Sequence, residues 1–265
     1  MEIPIYQVDA FASGLFHGNP AAICPIHGWL PDAVLQAIAA ENNLAETAYY
    51  VIENGRYRIR WFTPTLEVDL CGHATLAAAA VILDIRKELS ASRVTFDSRS
   101  GELAVDRSGD VYTLDFPSQP ALPVAETPGL AAALGARPSA FLRARYDLCV
   151  FETEEQIGAL APDMGGLQRT SGKVIVTAAG RDCDFVSRFF APAAGIPEDP
   201  VTGSAHSTLI PYWSARLGKK NLFARQISPR GGELWCEDRG SRVGIGGHAV
   251  KYLEGRIFVP RDLGL

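Results

Sequence analysis

The sequence predicts an α+β chain of two similar halves, each a set of strands curled around one apolar helix. Three observations lead there. Two segments far apart, Val68-Asp69-Leu70-Cys71-Gly72-His73-Ala74-Thr75 and Asp199-Pro200-Val201-Thr202-Gly203-Ser204-Ala205-His206, each carry an Asp, a Gly, a small or polar residue and an Ala, and each runs into an apolar stretch with helical spacing. The first of these helices, Leu76 to about Leu83, is Ala-rich and lacks a charged face, which marks a helix buried on all sides. The order of elements then repeats beyond a proline-rich connector.

Element by element, Ile3 to Phe11 is rich in branched and aromatic residues and reads as a strand. A Gly-Asn-Pro turn at Gly18 to Pro20 and a short apolar stretch follow. Pro31 to Glu41 has apolar residues at helical spacing, with Pro near the first position where its missing N–H does no harm. Ala48 to Ile52 and Tyr57 to Phe62 flank Glu53-Asn54-Gly55-Arg56, a hairpin in which the Asn-Gly step supplies positive backbone angles. After the first Ala-rich helix come strand-like runs at Arg93 to Asp97, Glu102 to Asp106 and Val111 to Phe116.

The connector Pro117-Ser118-Gln119-Pro120-Ala121-Leu122-Pro123 favours an extended path, which gives two domains, 1–117 and 118–265. The second half reads as a helix near Gly129 to Leu134, a strand near Asp147 to Phe151, a helix near Glu154 to Leu160, and strands at Lys173 to Thr177 and Asp184 to Phe190. Its apolar helix, Ala205 to Leu217, contains Pro211, which is expected to kink it or force a local irregularity. Strand-like runs at Asn221 to Ile227, Glu233 to Cys236, Arg242 to Ile245 and Gly255 to Val259 complete the chain. The glycine-rich Gly244-Ile245-Gly246-Gly247-His248 reads as a hairpin.

With 265 residues, 47% hydrophobic and 21% charged, the chain has enough apolar material for two cores. Its formal charge of −5 and scattered basic residues argue against nucleic-acid binding, which gathers cations on one face. Five widely spaced cysteines form neither a disulfide framework nor a zinc knuckle. The N-terminus has no basic region and no long apolar run, so neither a signal peptide nor a membrane span is expected. A soluble protein of a reducing compartment, the cytoplasm, follows as the expectation.

Both helix starts are candidate anion cradles. Glycine allows a ligand close to the backbone, and the amides of a first helical turn carry partial positive charge. Around the first, Cys71 is either a packed thiol or a nucleophile whose pKa the helix lowers. His73 is either a ligand contact or a capping histidine. At the second, Asp199 either meets a substrate ammonium or complements the helix dipole, and Ser204 either donates to a ligand or caps. Glu46, between a helix and a strand, projects from a rigid end, although by itself its segment decides little. His206 and Asp182-Cys183-Asp184 lack metal-ligand spacing, and there is no phosphate loop, dinucleotide fingerprint or nucleophile elbow.

Taken together, Asn43-Leu44-Ala45-Glu46-Thr47-Ala48 and the two helix-start segments, in this order, resemble the PhzF-like family of phenazine-biosynthesis-type isomerases. The opening Val8-Asp9-Ala10-Phe11, the turn Gly18-Asn19-Pro20-Ala21, Trp61-Phe62-Thr63-Pro64 and Pro211-Tyr212-Trp213 extend the likeness over nearly the whole chain. The resemblance implies a fold similar to diaminopimelate epimerase, with an active site in the cleft between two alike halves. It also implies isomerisation of a small amino- or hydroxy-carboxylate without metal or organic cofactor. On that resemblance Glu46 is the general acid/base, Gly72 and His73 are first-half ligand contacts, and Asp199, Gly203 and Ser204 are second-half contacts. A homodimer is expected on the same ground. Related epimerases place a thiol in each half; here Pro200-Val201-Thr202 supplies no counterpart to Cys71, which argues against a two-thiol racemase. A non-catalytic binder with the same cleft is the alternative. A third reading, Cys71 as an acyl-transfer nucleophile, lacks a convincing His base and oxyanion pattern.

Overall fold

The computed structural model describes residues 1–260. The chain divides into two compact units, Met1–Asp115 together with the chain from Gly246 onward, and Phe116–Ile245. The first unit runs β1 (Glu2–Ala10), β2 (Asn19–Pro25), α1 (Asp32–Asn42), β3 (Glu46–Glu53), β4 (Arg56–Phe62), β5 (Glu67–Val68), α2 (Gly72–Ala80), β6 (Arg93–Ser98), β7 (Gly101–Ser108) and β8 (Val111–Pro117). β1 pairs antiparallel with β2, β2 parallel with β3, and β3 antiparallel with β4. β4 takes the short β5 antiparallel on its edge and then pairs parallel with β6; β6, β7 and β8 form a meander. The β3–β4 turn has Asn54 at φ 52° and Gly55 at φ 77°, the two positive angles that the Asn-Gly step was expected to supply.

Helix α2 lies within the curl of this sheet and touches β1, β2, β3 and β7. Every side chain from His73 to Ala80 is buried. Small size is the reason: alanines at 77 to 80 let strands approach from several sides at once, where larger residues would hold them off. A π-helical turn, Val81–Ile85, widens the helix at its end. The outer face of the sheet is covered by α1, whose Val34, Leu35 and Ile38 pack on Ile3, Cys24, Tyr49 and Phe62. With both faces covered, β2 and β3 are near-continuous runs of buried residues rather than alternating ones, as a parallel pair requires.

The second unit repeats the plan. It runs β9 (Leu122–Pro123), α3 (Leu130–Leu134), β10 (Ala140–Arg143), β11 (Asp147–Val150), α4 (Glu154–Gly158), α5 (Met164–Thr170), β12 (Val174–Ala179), β13 (Phe185–Ala191), β14 (Ile196–Asp199), α6 (Gly203–Leu217), β15 (Asn221–Gln226), β16 (Gly232–Asp238) and β17 (Arg242–Gly247), whose last two residues, Gly246 and Gly247, belong to the first unit. From β10 to β16 the pairings match those from β1 to β7. They run antiparallel, parallel, antiparallel, a short antiparallel side strand, parallel, antiparallel. The short helices α3 to α5 cover the outer face through Leu130, Leu134, Ile157 and Leu167. On the inner side, α6 stacks Trp213 on Phe185 at 5.7 Å and donates its indole N–H to Thr177 Oγ1 at 2.9 Å. The last strand, β18 (Ala249–Phe258), rejoins the first unit by pairing antiparallel with β1. Within the first unit the strand order, among the described residues, does not close on itself.

Three local expectations change. β2, β10 and α5 form where no such element was expected: β2 holds Pro20 and Pro25, α5 holds Gly165 and Gly166, and β10 is only four residues long. Gly244 to Gly247 belong to strand β17 rather than a hairpin loop; a Cβ on Gly247 would lie 2.4 Å from Phe11 Cδ1, so the strand passes the ring bare. Pro211 leaves α6 continuous as one helix from Gly203 to Leu217. The irregularity falls on hydrogen bonding instead. The Ser207 carbonyl, four residues before the proline, accepts from the Gln119 N–H at 2.9 Å.

Because α2 is held by small residues on every side, Ala78→Leu forces strands apart. A loss of about 1–3 kcal/mol in unfolding free energy is expected, measured by urea denaturation with the slope unchanged.

Candidate active site

The first helix start sits where the side strand β5 has just left the sheet. Cys71 is the N-cap in an extended conformation and makes no side-chain cap hydrogen bond. Its carbonyl accepts the Thr75 N–H at 3.2 Å and also the Thr75 hydroxyl. Gly72 and His73 open the helix, so their amides point out of its N-terminal end with the positive side of the helix dipole behind them.

Glu46 is the first residue of β3, which pairs in parallel with β2 deep in the unit. That register brings its carboxylate to the imidazole of His73, with Glu46 Oε2 and His73 Nε2 3.1 Å apart; the side chains are 13% and 7% exposed. The contact is that of an ion pair, but it does not meet hydrogen-bond geometry: both atoms are buried without a hydrogen-bond partner. On its other side His73 Nδ1 lies 3.5 Å from Cys71 Sγ. The imidazole is thus held between a thiol and a carboxylate, with a different nitrogen turned to each.

Charge follows from this arrangement. Burial pushes the Cys71 thiol up to about 11, with the Glu46 carboxylate adding to the effect, so it is a thiol at neutral pH. For His73, burial acts to lower the pKa, and its neighbours Cys71 and Glu46 outweigh burial and raise it well above the ordinary value. With Cys71 neutral, Glu46 is the charge that holds the proton on His73. The imidazolium Nδ1–H donates toward Cys71, which fixes the ring so that Nε2–H faces Glu46. These three residues bring ligand atoms within 4.8 Å of one another. Their arrangement suits proton handling better than chelation, since a single ion would need His73 to serve both neighbours through one nitrogen.

The second helix start has the same design. Thr202 is the extended N-cap of α6, again without a side-chain cap bond, and Gly203 and Ser204 open the helix. Four residues beyond the cap, His206 Nδ1 lies 2.8 Å from the Thr202 carbonyl, in the place of Thr75 in the first helix. Burial pushes His206 down to about 4, so it is neutral and donates to that carbonyl. Asp199 ends β14; its Oδ2 accepts the Thr202 hydroxyl at 2.6 Å. Gln226, from β15, locks the loop by donating to the Asp199 carbonyl and accepting the Thr202 N–H, both at 2.8 Å. Ser204 Oγ lies 3.4 Å from Tyr146 Oη.

The sequence-predicted residues therefore fall into two groups. Glu46, Gly72 and His73 meet around α2 in the first unit; Asp199, Gly203 and Ser204 surround the start of α6 in the second. Asp69 stands apart, exposed, with its carbonyl bound by Ser100. Glu198 is absorbed in a structural pair with Arg188 at 2.7 Å. Gln226 and Tyr146 escaped the sequence reading. They come from strands and loops more than twenty residues away and belong to no motif.

The chain is similar to known proteins over nearly its whole length. The family model described as phenazine biosynthesis-like protein, PhzC-PhzF, matches residues 8–255. An uncharacterized isomerase of Pseudomonas aeruginosa is 52% identical, covering 97% of this chain and 99% of its own. A PhzF-family crystal structure from Enterococcus faecalis superposes with a TM-score of 0.95 at 46% identity, over 98% of this chain and 100% of that one. A probable proline racemase from Agrobacterium radiobacter shares the fold at a TM-score of 0.63 and 11% identity, covering 99% and 94%.

Two titrations test the electrostatics. Glu46→Gln is expected to lower the His73 pKa, read from imidazole 15N shifts; an unchanged value would detach Glu46 from His73. His206 shifts the other way: the unfolded chain takes up a proton near 6.5 that the native state refuses until about 4. Stability should therefore fall as pH drops through that window, by about 3 kcal/mol, and His206→Asn should flatten the fall in urea titrations. His73 contributes with opposite sign, fully below its unfolded value and less as pH rises through its higher native one.

Proposed function

The chain belongs to the PhzC-PhzF family of phenazine biosynthesis-like proteins and is an isomerase, and we propose that it moves a proton between carbons of a small amino- or hydroxy-carboxylate, with Glu46 as general acid/base. One observation carries the reading most: a buried carboxylate at a strand start, 3.1 Å from a buried imidazole at an uncapped helix start, with the facing atoms of both left without hydrogen-bond partners. Buried polar groups are normally fully hydrogen-bonded, and here each of the two facing atoms has only the other beside it, so the pair keeps hydrogen-bonding capacity for a ligand.

The chemistry then runs as follows. Glu46 takes a proton from a substrate carbon activated by its neighbouring carboxylate. As the carboxyl becomes neutral, the imidazolium of His73 is left uncompensated beside the negative charge developing on the substrate. Together with the Gly72 and His73 amides it stabilises that charge in a water-poor setting, where such interactions are strongest. Glu46 then returns the proton at a second carbon. Each of these steps uses only side chains and backbone of this chain.

Cys71 supports the ring as a packed thiol and hydrogen-bond acceptor. Its raised pKa counts against a nucleophilic role. In the second unit, Asp199 would take a substrate ammonium, and Gly203 and Ser204 its carboxylate. The cytoplasmic location and the homodimer remain part of this proposal; light scattering that shows only monomer across working concentrations would remove the dimer.

A screen of small carboxylates for deuterium uptake from heavy water tests the whole reading. Glu46→Gln should lower proton exchange by about two to four orders of magnitude, leaving folding and binding largely intact; near-normal turnover would remove Glu46 from the mechanism. Cys71→Ser should keep most activity. Asp199→Asn should raise KM for amino-carboxylates more than it lowers kcat.

A further inference from the structure

The second unit contains a cavity whose lining residues are given no part in the proposed proton transfer. It is an open recess of about 630 Å3 lined by Thr127, Arg143, Arg145, Tyr146, Thr170 and Lys173, among others. That volume lies within the range of small-molecule sites, roughly 300–1,000 Å3. Its wall carries three cations and one acid, Asp147, which is already committed: Arg143 Nε donates to Asp147 Oδ1 at 2.6 Å. Arg143 also donates to Thr127 Oγ1 at 2.5 Å, which leaves the Thr127 hydroxyl proton free to donate in turn.

Arg145 and Lys173 differ from most cations of this chain. Arg56, Arg58, Arg60, Arg107, Arg188 and Arg256 each hold a carboxylate. Among the described residues, Arg145 and Lys173 hold none; Arg145 instead lies over the Tyr146 ring at 5.5 Å. Two positive charges without carboxylate partners on one concave wall of an acidic protein give that wall a positive potential that favours an anion.

The place of the cavity in the fold gives a second argument. Glu46 opens β3 and meets His73, the second residue of α2, at 3.1 Å. In the second unit, Lys173 immediately precedes β12, and its cavity partner Tyr146 meets Ser204, the second residue of α6, at 3.4 Å. The repeated plan thus puts a buried carboxylate at this point of the first unit and, at the corresponding point of the second, cations that hold no carboxylate.

We propose that this cavity binds a doubly charged oxyanion of a small molecule, with Arg145 and Lys173 as its charge partners and the Thr127 and Tyr146 hydroxyls as further donors. The inference stands apart from the role of Glu46. Calorimetric titration of the full chain with inorganic phosphate at low ionic strength, where screening is weak, is expected to show one saturable site. Arg145→Ala with Lys173→Ala should weaken it about ten-fold or more, with each single variant intermediate. Lys220→Ala, which removes an exposed charge elsewhere, should leave it unchanged, as should Glu46→Gln.

If the anion is a group of the substrate, phosphate competes in the exchange assay. If it is a separate ligand, phosphate raises the melting temperature and leaves KM alone. No saturable binding by the wild type, or equal binding by the folded double variant, overturns the site. A failure of Glu46→Gln to affect exchange would leave it standing.

Discussion

Much of this structure depends on burying a helix from all sides. An α-helix usually hides one stripe, and the sheet beside it needs to cover only that stripe. Here α2 has no exposed face, so strands from both ends of the first unit's chain are brought against it. Alanine is what makes this possible, since it costs little side-chain entropy and keeps the backbone distance short. The same burial fixes the orientation of the first turn. His73 has no rotational freedom to spend, and β3, held in register against β2, delivers Glu46 to it.

That rigidity has an electrostatic cost, and the site turns it to use. Burial of a lone imidazole normally favours its neutral form, as His206 shows in the second unit. At His73 the adjacent Cys71 and Glu46 reverse the preference. Two histidines on equivalent helices therefore differ in charge at neutral pH, His73 protonated and His206 neutral, and the difference traces to the groups that flank His73. A buried ion pair of this kind contributes little to stability in itself. Its value lies in holding charge where a reaction can shift it.

Much of the fold was legible because the repeats are marked by strong local signals. The Asn54-Gly55 hairpin, the Ala-rich helix and the two Gly-containing helix starts each have a short-range cause that survives folding. β2 and α5 were not legible, because parallel strands covered on both faces can carry prolines at their ends and a helix pressed on a neighbour can carry glycines. The pairing of β18 with β1 joins residues some 250 positions apart, and no local pattern reports such a contact. At the site, the segment containing Glu46 says little on its own, and only the resemblance singled that residue out. Gln226 shows the limit most clearly. It ties Asp199 to Thr202 from a strand whose sequence reads as ordinary β structure.

Pro211 shows how a defect inside one element can become the attachment point of another. A regular helix consumes its own carbonyls and offers nothing to a passing chain. By withholding one N–H, Pro211 leaves the Ser207 carbonyl open in the middle of a buried helix, and the extended segment through Gln119 occupies it. The connector is thereby fastened by main-chain bonding alone, independent of the side chains along it. Sequence drift in Pro117–Pro123 would be tolerated so long as an amide stays at position 119, whereas a second proline there would release the strap from the helix.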